Sequence, residues 1–192
     1  GAYLLDGLWR QLGIDQALRD AVADRALEMD VERLIFAMVA NRALAPASKL
    51  AVERWVGRKA AIPGLGEANA HALYRAMDVL AANADALQRA VFESTASLLN
   101  LEVDLLLVDT TSVDFEVEDG DDGPRRLALR ANCMSGHSKD HRGDRPQIVV
   151  ALAVTRQGVP VRCWTVPGNT ADASMVERFR RGFGPGVARP VR

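Results

Sequence analysis

Apolar positions along the chain follow two periods. Up to about residue 100 they recur every three to four positions, the signature of helices with one face turned inward. Leu4, Leu5, Leu8 and Leu12 form the first such set, and Gly13 ends it. Asp15 is placed to cap a second helix whose apolar face carries Leu18, Ala21 and Val22. Asp30 then precedes Val31, Leu34, Ile35, Met38 and Val39, one stripe of an amphipathic helix whose job is packing. The run from Asn41 to Ser48 is a break, because Pro46 is tolerated only near a helix start. Ser48, or the residue before Pro46, restarts the chain into Leu50, Val52, Trp55 and Val56. Gly57 and Ile62-Pro63-Gly64-Leu65-Gly66 read as loop. From Asn69 a longer helix carries Leu73, Met77 and Leu80 on one face, and after Asn83 another carries Leu87, Val91 and Phe92.

From Val103 the period becomes that of strands. Leu105 to Val108 is an unbroken apolar run, which predicts a strand covered on both faces. Val113, Phe115 and Val117 then alternate with Asp114, Glu116 and Glu118, and Asp119-Gly120-Asp121-Asp122-Gly123-Pro124 makes an acidic turn. Pro146 opens a pair of strands, Ile148 to Val154 and Val159 to Val166, joined at Gln157-Gly158. This predicts a hairpin that can lie beside the Asp109 strand. Thr170 or Asp172 can cap a following helix faced by Met175, Val176 and Phe179. The expected organisation is therefore α+β or α/β: a helical region over residues 1–100, then three strands and a helix over 101–192.

Composition narrows the function classes. The chain has 192 residues, 48% hydrophobic and 26% charged, enough to bury a core and too apolar for disorder. Its formal net charge of -1 carries no global sign of nucleic-acid binding, so any basic surface has to be local. Cys133 and Cys163 lie far apart with no signal-peptide pattern ahead of them, so a reducing cytoplasm is the expected compartment. No apolar run approaches the roughly 18 residues that cross a bilayer.

The candidate chemistry centres on Asp109. A carboxylate at the end of a buried strand is costly unless something cationic compensates it, and Thr110, Thr111 and Ser112 follow directly. That pattern suits a divalent-metal ligand; a turn cap or an arginine partner would satisfy it equally. Arg125, Arg126, Arg130, Lys139, Arg142 and Arg145 outnumber the nearby acids Asp140 and Asp144, giving a local basic region suited to phosphates. Cys133, His137 and His141 sit four apart, as zinc ligands on a helix would, but Gly136, Ser138 and Gly143 argue for a loop and a fourth ligand is lacking. In the helical half, Arg42, Lys49, Arg54, Arg58 and Lys59 cluster around the proline break. They suit a phosphate backbone or simply a solvated face. Trp9, Trp55 and Tyr74 read as core or interface anchors, and Asp172 reads as a helix cap rather than a catalytic group.

Several segments together resemble the DDE transposases of the IS4 type, in particular the IS1634-like group. They are Val108-Asp109-Thr110-Thr111-Ser112, Gly136-His137-Ser138-Lys139-Asp140-His141, Asp144-Arg145-Pro146-Gln147, Val154-Thr155-Arg156-Gln157-Gly158-Val159-Pro160-Val161 and Pro167-Gly168-Asn169-Thr170-Ala171-Asp172. The helical half contributes Ala40-Asn41-Arg42-Ala43-Leu44, Pro46-Ala47-Ser48-Lys49-Leu50 and Leu73-Tyr74-Arg75-Ala76-Met77-Asp78. Their order and spacing over nearly the whole chain make the resemblance specific.

The resemblance implies that residues 101–192 are the first part of a ribonuclease H-like catalytic domain. It also implies that the activity is metal-dependent phosphodiester cleavage and strand transfer during DNA transposition. Three carboxylates would hold two Mg2+ ions, with Mn2+ able to substitute, and the partner would be double-stranded DNA at transposon ends. Asp109 matches the first catalytic, metal-binding aspartate; Lys139, Arg142, Arg145 and Arg126 are the candidate DNA contacts. A homodimer and a nucleoid-associated cytoplasmic location are expected of the full-length protein, with no membrane partner. The family's second motif, Asp-Arg-Gly-like, and its later glutamate are not matched in these 192 residues, and the chain opens at Gly1 without a methionine or the upstream DNA-binding segment. The expectation is thus a truncated transposase, inactive as it stands. Two other classes fit the pattern: a non-enzymatic helical module that binds DNA or protein, and a metal-dependent ribonuclease H-like nuclease that cuts without joining.

Overall fold

The computed structural model describes residues 1–23, 29–101, 106–114 and 147–167. The chain divides into two compact units, Gly1–Asp104 and Leu105–Arg192, and its class is mixed α+β.

Among the described residues the first unit contains six helices: α1 (Ala2–Gln11), α2 (Ile14–Val22), α3 (Val31–Leu44), α4 (Lys49–Arg58), α5 (Ala70–Ala82) and α6 (Ala84–Leu99). Helix starts follow the polar residues read from the sequence at three places. The side chains of Asp30, Ser48 and Asn69 accept the backbone N–H groups of Arg33, Ala51 and Ala72, filling donors that the first helical turn leaves open. Asp15 does not cap α2. That helix begins at Ile14 behind Gly13, whose φ of 67° lies in the left-handed region glycine adopts freely, and Asp15 falls in the first turn, paired to Arg19. Gly57 likewise lies inside α4 rather than in the following loop.

The largest departure from the predicted elements is α3. A single buried stripe was expected, yet Val31 to Met38, Ala40 and Asn41 are all buried. The reason is its place in the bundle: α1, α2, α4 and α5 all pack against α3, so it has no wet face over most of its length. Phe36, Leu73 and Val52 are among the most deeply buried large side chains, with Trp9, Leu18 and Leu87 closing the same core. On α5 the buried row is Leu73 and Ala76 with half-buried Val79, while Met77 and Leu80 are exposed. The row at i, i+3 rather than i, i+4 faces inward, and the small Ala76 gives α3 and α5 room to approach.

The second unit contains β1 (Leu106–Asp114), β2 (Gln147–Thr155) and β3 (Pro160–Pro167), an antiparallel sheet in the order β1-β2-β3. The hairpin read from the sequence joins β2 and β3 and lies beside the Asp109 strand. At its turn the Thr155 N–H donates to Val159 O at 2.9 Å, and Gly158 adopts φ 81°. Both prolines of β3 stand at its ends, on an edge strand among the described residues, where a missing N–H costs least. Antiparallel partners share a sheet face. One face carries Val149, Ala151, Ala153 and Thr155 with Trp164 and Val166, and is the buried one. The predicted helix with Met175, Val176 and Phe179 lies outside the described residues.

Candidate functional site

Asp109 occupies the middle of β1, paired with Leu152 on β2, which in turn pairs with Cys163 on β3. These three form a row across the face opposite the buried one. Thr111 shares that face, whereas Thr110 and Ser112, one residue out of phase, lie on the other. The three hydroxyls that follow Asp109 are therefore divided between the two faces. The Asp109 carboxylate is exposed, and its Oδ1 accepts the Thr110 N–H at 2.8 Å.

This corrects the expectation of a strand covered on both faces. Leu107 is 50% exposed, Val108 39% and Leu152 40%. Among the described residues β1 is an edge strand, and the sheet's core cluster of Ala151 and Val166, with Val149 and Trp164 against it, forms over one face only. An exposed carboxylate stays hydrated, so burial creates no demand for a compensating cation at Asp109. Its position and freedom remain: among the described residues no arginine or lysine forms an ion pair with it.

The described residues do not by themselves form a magnesium site. A hard divalent cation needs several placed oxygens, and no group of three His, Cys, Asp or Glu side chains comes together among the described residues. Lys139, Arg142, Arg145 and Arg126, the candidate DNA contacts, lie outside the described residues, as do Cys133, His137, His141 and Asp172.

The helical unit holds a polar centre that the sequence reading passed over. Asp6, Glu32 and Arg33 are 7%, 3% and 3% exposed in the middle of the core. Arg33 grips Glu32 through two bonds, Nε to Oε2 at 2.7 Å and Nη2 to Oε1 at 2.5 Å, and reaches across to Asp6 Oδ1 at 2.7 Å. The Trp9 indole N–H donates to Glu32 Oε1 at 2.7 Å, and the Arg33 guanidinium lies 4.9 Å from the centre of the Phe36 ring. Burial alone would raise both carboxyl pKa values. Hydrogen bonds from Arg33 and Arg10 to Asp6, and from Arg33 and Trp9 to Glu32, outweigh it and leave both below their ordinary range. Glu32 in turn, against the opposing effect of burial, holds the Arg33 guanidinium still further above its ordinary value. The signal was present in the sequence: Glu32 and Arg33 stand side by side inside the apolar run from Val31 to Val39. The network ties α1 to α3, and every member is hydrogen-bonded within it, so it reads as a structural knot.

A groove of about 410 Å³ opens where α3 and α5 begin, floored by Met29, Leu34 and Leu65 and rimmed by Asp30, His71 and Arg75. Both charge signs line it, and it selects no ligand class. Among the described residues no helix is long and apolar enough to cross a membrane. Compared with protein-family models, curated proteins and solved structures, the chain shows no match.

Proposed function

We propose that this chain is part of a DNA transposase of the IS4 type, with residues 101–192 contributing the opening of a ribonuclease H-like catalytic domain and Asp109 its first metal-binding carboxylate. The observation that supports this reading most is the setting of Asp109: mid-strand on β1, accessible, held at one oxygen by the Thr110 amide and flanked by the β2–β3 hairpin. A carboxylate needed only to cap a turn would not sit at the centre of a paired strand, and among the described residues no lysine or arginine pairs with this one. The role of such a group is to hold a divalent ion against the scissile phosphodiester, where charge builds during in-line displacement. The remaining oxygen ligands would be supplied by chain beyond the described residues, and the partner is duplex DNA.

The test is a gel assay with a labelled donor duplex, a target duplex and Mg2+, using the chain extended by its in-frame downstream sequence. Joined product that disappears in Asp109→Asn supports the reading. Cut product without joining favours a nuclease of the same fold, and no product from either protein favours a non-enzymatic binding module. The 192-residue chain alone is expected to give neither cutting nor joining.

A further inference from the structure

We propose that α1 is a strap that comes off the helical bundle as one unit, hinged at Gly13, while α2 to α6 stay folded. Its clasp is the pair of buried bonds that Arg33 makes to Asp6 and Trp9 makes to Glu32. An ordinary surface helix turns its apolar residues inward. On α1 Tyr3, Leu4 and Leu8 are all more than half exposed, and the two buried side chains are Asp6 and Trp9. Apolar burial is what usually holds a helix to its neighbours. Here it comes mainly from Trp9, edge-on to Phe36 with ring centres 5.4 Å apart, and from half-buried Leu5. The rest of the attachment to α3 is polar: Arg33 Nη1 donates to Asp6 Oδ1 and Trp9 Nε1 to Glu32 Oε1, both at 2.7 Å. Both bonds end on adjacent residues of α3, so one small displacement of α1 breaks the two together.

Release of α1 strands no charge. Asp6 returns to water still beside Arg10, while Arg33 and Glu32 keep their two-bond grip on each other, and Arg19 of α2 stays with Glu32. The knot therefore opens along α1 without leaving a lone buried ion, the event that makes most buried pairs costly to break. Once released, α1 cannot persist as a helix. It has ten residues, an interior Gly7 and no side-chain cap at its start, and helices that short are marginal in water. The hinge falls where the anchoring changes. Beyond Gly13, α2 is held by apolar packing, with Leu18 buried and Ile14, Ala17 and Ala21 against the core. The Gly13 turn lies against α6, since a Cβ there would stand 2.9 Å from Ser94 Oγ. The inference is independent of Asp109, of metal and of the transposase reading.

The experiment is residue-resolved amide hydrogen exchange of the 192-residue chain at neutral pH, repeated at low urea concentrations. The amides from Leu5 to Leu12 are expected to share one protection factor, at least about tenfold below the slowest amides of α3 and α5, and a weaker dependence on urea than those amides show. Two variants test the clasp and the helix separately. Asp6→Ala removes the acceptor of Arg33 while improving intrinsic helix propensity, so a fall in α1 protection of at least about tenfold can come only from the lost bond. Gly7→Ala adds a methyl group where nothing lies within 4 Å, touches no member of the clasp, and should raise α1 protection about two- to fivefold. The inference is overturned if the α1 amides match α3 and α5 in protection and urea dependence, or if they are unprotected in the parent. It also fails if Asp6→Ala leaves α1 protection unchanged or raises it, or if Gly7→Ala has no effect.

Discussion

Arg33→Met is the sharpest perturbation of the helical core. It removes the guanidinium, which lies over the Phe36 ring, and keeps most of the aliphatic stem. Two carboxylates, Asp6 and Glu32, then lose their principal partner at sites 7% and 3% exposed. Stripping one member from a buried ion pair typically costs about 3–5 kcal/mol, because the charge left behind is desolvated and uncompensated. Here the cost should fall toward about 3 kcal/mol, since Glu32 keeps the Trp9 indole and Arg19, and Asp6 keeps Arg10. Urea unfolding followed by helical circular dichroism measures it. The pH dependence supplies an internal check. The folded pKa values of Asp6 and Glu32 lie below their ordinary 3.8 and 4.5, so the stability they contribute is present above those values and lost as pH falls through the folded ones. In the variant the lowering by Arg33 is gone, so parent and variant should converge in stability toward acid pH. Replacing all three together, Asp6→Leu/Glu32→Leu/Arg33→Met, should cost far less than the single change, because no charge is then stranded. A single variant within about 1 kcal/mol of the parent at neutral pH, or a triple variant as damaged as the single one, would refute the reasoning.

Other changes test the packing, the helix starts and the turn between α1 and α2. Leu73→Ala, at a fully buried site between α5 and α3, should cost about 2–5 kcal/mol in the same urea experiment. Asp30→Ala removes the acceptor of the Arg33 N–H and should cost about 0.5–2 kcal/mol, with Asp30→Asn recovering most of it. Gly13→Ala places a Cβ 2.9 Å from Ser94 Oγ at a left-handed backbone position, so it should lower the thermal midpoint, and adding Ser94→Ala should relieve only the steric part. Asp109→Asn, at an exposed strand site, should leave stability within about 0.5 kcal/mol of the parent, which separates any functional loss from unfolding.

How much of this was legible in the sequence depended on which interactions were local. Helix starts at Asp30, Ser48 and Asn69 could be read because a cap is a contact over three residues, and the Gln157-Gly158 turn for the same reason. The all-round burial of α3 could not, because its own spacing shows a stripe and only the neighbouring helices reveal that the other sides are covered. The Asp6–Arg33–Glu32 knot joins residues 27 positions apart, a separation at which hydrogen-bonded partners leave no periodic trace. The apolar run before Asp109 suggested coverage on both faces. Edge position is a property of the sheet and not of the strand, so Leu107 and Val108 came out exposed. What survived at the candidate site was the hairpin, which lies beside the Asp109 strand. The basic run around Pro46 was visible as composition, but the 91° bend between α3 and α4 was not.

The account rests on the Asp109 carboxylate holding a divalent ion, and site-directed mapping by that ion addresses it directly. In the extended chain bound to duplex DNA, Fe2+ in place of Mg2+, with ascorbate and peroxide, cleaves the polypeptide where the ion sits. The expected result is cleavage flanking Asp109 on β1, suppressed by excess Mg2+ and absent from Asp109→Asn. Cleavage confined to other segments, or a pattern at β1 that persists unchanged in Asp109→Asn, would contradict the account.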